Sequence, residues 1–121
     1  MGERVAVLGA SDKPDRYSYM AVEMLLQHGH TPVPVSPKNI APFGIQAVAD
    51  LPSVEGEVDT LTMYVNPQVS TRLTEQILNL KPKRVIFNPG TENPELMAAL
   101  ITVGICVVEA CTLVMLRTGQ Y

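Results

Sequence analysis

Five short apolar runs separated by helical patterns constrain this chain more than any other feature. The runs are Val5 to Leu8, Thr31 to Val35, Leu61 to Val65, Arg84 to Phe87 and Ile105 to Val108. They are rich in Val and Ile and almost continuously apolar, as strands buried on both faces are. Between them, Met20, Ala21, Met24 and Leu25 recur at helical spacing within Ser18 to His28, and Gly29 is a natural stop. Val69, Leu73, Ile77 and Leu80 repeat the pattern from Pro67 to Leu80, as do Leu96, Met97, Leu100 and Ile101 from Asn93 to Val103. Alternation of this kind predicts an α/β, Rossmann-like three-layer domain with a mainly parallel five-stranded sheet and helices on both faces.

The segment from Asn39 to Asp59 breaks the rhythm with Pro42, Gly44, Pro52 and Gly56. It reads as a long connection in place of a full helix, with a short strand at Ile45 to Val48. At 121 residues a single domain spanning 1–121 is expected. The final "CTLVMLRTGQY" reads either as a helix covering the sheet edge or as a dimer contact. The sequence leaves both a homodimer and a partner enzyme open.

With 46% hydrophobic residues and a formal net charge of -3, the chain is neither disordered nor generally attractive to nucleic acid or anionic membranes. No apolar stretch reaches the ~20 residues that span a bilayer, and "MGERVAVLG" lacks the apolar centre of a signal peptide. A cytosolic protein is expected. Cys106 and Cys111 form neither a CxxC nor a Cys/His cluster, so reduced thiols are expected and no metal site.

Parallel strands joined by right-handed crossovers end on one rim, where the ligands of such sheets bind. The segments leaving that rim are "GASDKPDRYS", "SPKN", "NPQVS", "NPGTEN" and "EACT". In three of them proline follows the strand directly, ending it and leaving Ser36, Asn66 or Asn88 at the crevice edge. Gly9 marks a tight turn out of the first strand. Backbone amides near Ala10 and Ser11, together with the positive end of the next helix, make a cradle for pyrophosphate. Lys13 and Arg16 lie in the longer loop that follows and can fold over an anion. At the end of the second strand, where NAD sites carry an acid, Pro37 and Lys38 stand instead. A phosphorylated ribose is favoured, which leaves NADP and coenzyme A.

The stretches "VAVLGASDKPDRYSYMAVEMLLQHGHTPVPVSPK", "MYVNPQVS" and "IFNPGTENPEL" resemble the small stand-alone CoA-binding proteins, which are similar in fold to the CoA-binding domain of succinyl-CoA synthetase alpha subunits. The resemblance implies non-covalent binding of coenzyme A or an acyl-CoA. It places Gly9, Ala10 and Ser11 on the pyrophosphate, with Arg16 and Ser18 nearby, and Lys38 on the 3′-phosphate. Val65, Asn66, Pro67 and Ser70 would border the adenine and the start of the pantetheine arm, with Asn88, Pro89 and Gly90 flanking that arm. Many relatives carry an Arg-Cys pair after the fifth strand; here the pair is Ala110 and Cys111.

Catalysis is not expected of the chain alone, and the anticipated role is carrier, sensor or subunit. His28 and His30 fall on the rim opposite the crevice. Cys106 reads as core, Cys111 as a thiol near the functional rim, and Glu109 as a solvated carboxylate at a strand end. Tyr17 and Tyr19 are expected to pack on the loop, and the basic run Lys81 to Arg84 to complement a helix C-terminus. The alternatives are an NADP-dependent oxidoreductase, for which the chain has little spare length, and an interaction subunit with a vestigial site.

Overall fold

The computed structural model describes residues 2–121. Five strands form one sheet: β1 (Arg4–Leu8), β2 (Thr31–Val35), β3 (Thr60–Met63), β4 (Arg84–Phe87) and β5 (Cys106–Glu109). All pairings are parallel and the spatial order is β2-β1-β3-β4-β5. Five α-helices alternate with them: α1 (Tyr17–Gln27), α2 (Pro67–Arg72), α3 (Thr74–Leu80), α4 (Pro94–Thr102) and α5 (Thr112–Thr118). The chain thus has the architecture that the alternation predicts.

Side-chain alternation along the strands divides the interior in two. Ala6 and Leu8 of β1, Leu61 and Met63 of β3, and Val85 and Phe87 of β4 meet Ile77 of α3 and Leu96 and Leu100 of α4. Val5 and Val7 point the other way, onto Val22 and Leu25 of α1 and Leu116 of α5. Fully burying one such aliphatic side chain contributes about 1.5–3 kcal/mol, so these two layers supply the main drive to fold. β3 buries Thr60 and Thr62 on the second face, and both find partners: Thr60 Oγ1 bonds Glu3 Oε1 at 2.7 Å, and the Thr62 and Thr112 hydroxyls lie 2.8 Å apart.

Three local expectations need correction. The helix read from Pro67 to Leu80 breaks at Leu73 (φ -101°, ψ 7°) into α2 and α3. The long connection contains two 3₁₀ turns, Pro42–Gly44 and Leu51–Ser53, and its expected strand reduces to one parallel bridge between Val48 and Val35. Cys106 is exposed and not core, because β5 is an edge strand, which leaves Cys106 and Glu109 exposed and Val107 and Val108 half-buried.

The two edges of the sheet differ. β2 is lined by Pro32 and Pro34, while the Thr31 N–H reaches the Glu3 carbonyl at 2.8 Å. The N–H groups facing β1 therefore belong to residues 31, 33 and 35, and each proline occupies a position whose missing N–H would point outward. Outside Pro34, Val48 donates to its carbonyl at 3.0 Å and accepts from the Ser36 N–H at 2.9 Å.

At the strand N-terminal end, the Arg4 amide donates to Asp59 Oδ2 at 2.8 Å and Lys83 Nζ lies 3.0 Å from Asp59 Oδ1. These two contacts hold the Asp59 carboxyl below its usual range. Arg84 sits over the Tyr121 ring and contacts Glu3 at 3.3 Å. Lys83 and Arg84 of the basic run are thereby committed to joining strand starts, while Lys81 stands at the C-cap of α3. His28 Nδ1 contacts the Met24 carbonyl and His30 Nδ1 accepts from the Glu3 amide, both at this end of the sheet.

Candidate functional site

In this strand order the connections from β1 and β3 leave toward opposite sides, so a crevice opens between the C-terminal ends of these two strands. A cleft of about 500 Å³ lies there. Its walls come from four loops: residues 9–13 and 16–18 after β1, 36–38 and 40 after β2, 64–66 after β3 and 89–91 after β4. Every residue the sequence proposes for the site lines it except Pro67, Ser70 and Asn88.

Gly9 makes the turn out of β1 with φ +90°, and a Cβ there would sit 2.8 Å from the Tyr64 carbonyl oxygen. Only glycine fits both the positive φ and the close passage of β3's continuation. The Gly9 and Ala10 amides both donate to the Val35 carbonyl at 3.1 Å, so Ala10 has no free N–H to offer an anion. The donors open to the cleft begin at Ser11, whose Oγ accepts from the Lys13 amide at 3.0 Å.

α1 begins at the cleft wall, where Arg16, Tyr17 and Ser18 lie. Its first helical bond runs from the Met20 N–H to the Arg16 carbonyl, leaving the Tyr17, Ser18 and Tyr19 amides without a partner in the helix. No side chain caps this end, and its first turn has no acid. Lys13, Arg16 and Lys38 are exposed on the cleft, and among the described residues the ion pairs are Lys83–Asp59 and Arg84–Glu3. Three cations, the Asp12 carboxylate and the free Tyr17 and Ser18 amides thus share one concave surface. Lys38 is held by a turn in which its amide donates to the buried Ser36 Oγ at 3.1 Å.

The three residues that do not line the cleft are committed to the fold. Asn88 is buried, and its Nδ2 donates to Thr62 Oγ1 at 2.7 Å and to the Met63 carbonyl at 2.8 Å, while its Oδ1 accepts from the Thr112 amide at 2.9 Å. Its amide faces inward, away from the crevice edge where the sequence reading put it. Ser70, within α2, is fully buried, donating to the Pro67 carbonyl and accepting from Asn93 Nδ2 at 2.9 Å. Asn66 does reach the cleft wall, but its Oδ1 caps α2 by accepting from the Val69 amide at 2.9 Å. Gly90 also lines the cleft, with its amide donating to Glu92 Oε1 at 2.9 Å.

Sequence reasoning passed over Asp12, Ile40, Tyr64 and Thr91, all of which line the cleft. Burial pushes the Tyr64 phenol up to about 12, against the opposing pull of the Thr62 and Thr112 hydroxyls beside it. The signal available was its place near the C-terminal end of the third apolar run, two residues before "NP". Tyr17, expected to pack, is 70% exposed at the cleft mouth, whereas Tyr19 does pack, its ring centroid 4.6 Å from that of Phe43. Cys111 is half-buried at the start of α5, and Glu109 is exposed.

Solved structures share this architecture across nearly the whole chain. One crystal structure, described as that of an uncharacterized protein, superposes with a TM-score of 0.94 at 46% identity, covering 100% of this chain and 99% of that one. A Thermus thermophilus protein gives a TM-score of 0.89 at 30% identity, over 99% of this chain and 91% of that one. The uncharacterized protein YneT of Bacillus subtilis (strain 168) is 28% identical over 93 residues, 77% of this chain and 69% of that protein. The family model described as CoA binding domain matches residues 3–117. With that match spanning all five strands and every wall of the cleft, the chain belongs to the CoA-binding domain family.

Proposed function

We propose that the cleft binds coenzyme A or an acyl-CoA non-covalently, as a carrier, sensor or subunit without catalysis of its own. One observation carries this reading: the uncapped N-terminus of α1 opens onto the same surface as Lys13, Arg16 and Lys38, none of which is ion-paired among the described residues. Two anionic groups of the ligand, a pyrophosphate and a ribose 3′-phosphate, match two sources of positive charge. The α1 amides with Arg16 and Lys13 serve the pyrophosphate, as dipole and charge-assisted donors. Lys38, on the separate β2 loop, serves the ribose phosphate. Val65, Pro89 and Gly90 then flank the uncharged arm. Asn88, Ser70 and Pro67 support these walls from behind and take no direct part.

Thermal unfolding with added ligands tests the reading, because a ligand that binds the native state raises the midpoint. Coenzyme A is expected to raise it, and dephospho-CoA, NAD and NADP to raise it less. No shift at saturating coenzyme A rejects the proposal. Lys38→Ala is expected to weaken coenzyme A about tenfold, or ~1.4 kcal/mol, and to leave dephospho-CoA unchanged. Equal losses for both ligands would remove the phosphate contact from Lys38.

A further inference from the structure

The edge formed by β5 is open. The Cys106 N–H donates to the Lys83 carbonyl and the Ala110 N–H to the Phe87 carbonyl, both on the β4 side. Backbone groups alternate in direction along a strand, so Val107 and Glu109 turn their N–H and C=O groups away from β4. Among the described residues no strand lies beyond β5. Unlike β2, this edge has no proline, and Glu109 is the only charged side chain in the strand. Ile101, in the last turn of α4, and Val103, at its C-cap, are 62% and 61% exposed. An open edge is what natural sheets usually block.

The geometry points to a homodimer in which β5 pairs antiparallel with β5 of a second copy about a twofold axis at Val108. In that register Val107 faces Glu109 of the partner subunit on both sides of the axis, and the two pairs satisfy all four outward N–H groups and all four outward carbonyls. Val108 meets its own copy as the close, non-hydrogen-bonded pair. The Glu109 carboxylates stay apart, each beside a valine. The opposite edge explains why the occupant is a second copy in a closed pair. Pro32, Pro34 and the Val48 bridge deny β2 to an incoming strand, so β5 cannot add to β2 of the next molecule and grow an open array. Pairing of β5 with itself uses an isologous surface and closes after two copies.

Sedimentation equilibrium of the full chain, from micromolar to sub-millimolar concentration, is the test. A dimer is expected for the parent protein and a monomer for Val107→Pro. That substitution gives β5 the device β2 already has, and removes no N–H that faces β4. A second variant keeps the proposal falsifiable if the proline disturbs folding. Val108→Cys in a Cys106→Ser, Cys111→Ser background is expected to form a symmetric disulfide under mild oxidation, because close antiparallel pairs have the Cα separation a disulfide needs. A parent protein that stays monomeric, an open-ended assembly, or a dimer that survives Val107→Pro in folded form overturns the proposal. So does a folded Val108→Cys variant that does not cross-link, which would leave this edge for a different protein strand or for solvent.

Discussion

α1 and α4 start on the same rim and solve the same problem in opposite ways. Both leave backbone N–H groups without helical partners in their first turn. α4 satisfies them from within: Asn93 Oδ1 accepts from the Leu96 amide at 3.2 Å, Pro94 removes one donor, and Glu95 supplies negative charge. Asn93 is itself tied through Nδ2 to Ser70 Oγ and to Thr71 Oγ1 at 3.0 Å. α1 has none of these devices, and the residue at its cap position is Arg16. The same kind of helix end is a structural joint in one place and an unmet electrostatic demand in the other. The difference locates the site more sharply than the glycine turn does, since a turn alone says nothing about what the next helix lacks.

The comparison breaks most severely if the closed half of the rim is opened. Asn88→Leu leaves the Thr112 amide and the Met63 carbonyl buried without a partner, and each unsatisfied group costs about 1–3 kcal/mol. A stability loss of about 3 kcal/mol or more is expected in denaturant titrations, and a loss below ~1 kcal/mol would show that the network is dispensable.

Closing the open half is expected to separate stability from binding. Arg16→Asp gives α1 the cap and the negative charge that it lacks, worth about 1 kcal/mol of added stability. The same change places a carboxylate where an anion is proposed to bind, and coenzyme A affinity is expected to fall about 100-fold, or ~2.7 kcal/mol. Calorimetry and thermal unfolding on one sample read both numbers. Higher stability with unchanged affinity would detach the α1 terminus from the ligand.

The smallest effect belongs to a residue that serves both halves. Asn66 stands on the cleft wall but spends its carbonyl oxygen on α2. Asn66→Ala is expected to cost about 1 kcal/mol of stability, the usual loss for an N-cap, with coenzyme A affinity changed less than about threefold, or ~0.7 kcal/mol. A large affinity loss with intact stability would reverse that assignment.

The layering, the rim and the loops that meet at the cleft were legible because their causes are local. Valine-rich runs bury both faces of a strand, and a proline just after a run ends it. What escaped the sequence depends on partners far along the chain. The outward fate of Cys106 follows from β5 lying at an edge, and strand order is not written in periodicity. The inward turn of Asn88 is set by Thr62 and Thr112, 26 and 24 residues away. The occupied amide of Ala10 depends on Val35 lying alongside. The break at Leu73 lies inside an unbroken helical pattern, and 3₁₀ turns leave no periodicity to read.

That shared acceptor on Val35 has one more effect. Because one carbonyl receives both Gly9 and Ala10, the loop bearing Lys13 and Arg16 is fastened to the residue from which the Lys38 loop departs. The two loops that carry the basic residues therefore start from a common pivot. On the proposed reading, the bases of both loops are set before a ligand with two anionic groups arrives, which lowers the ordering cost of binding.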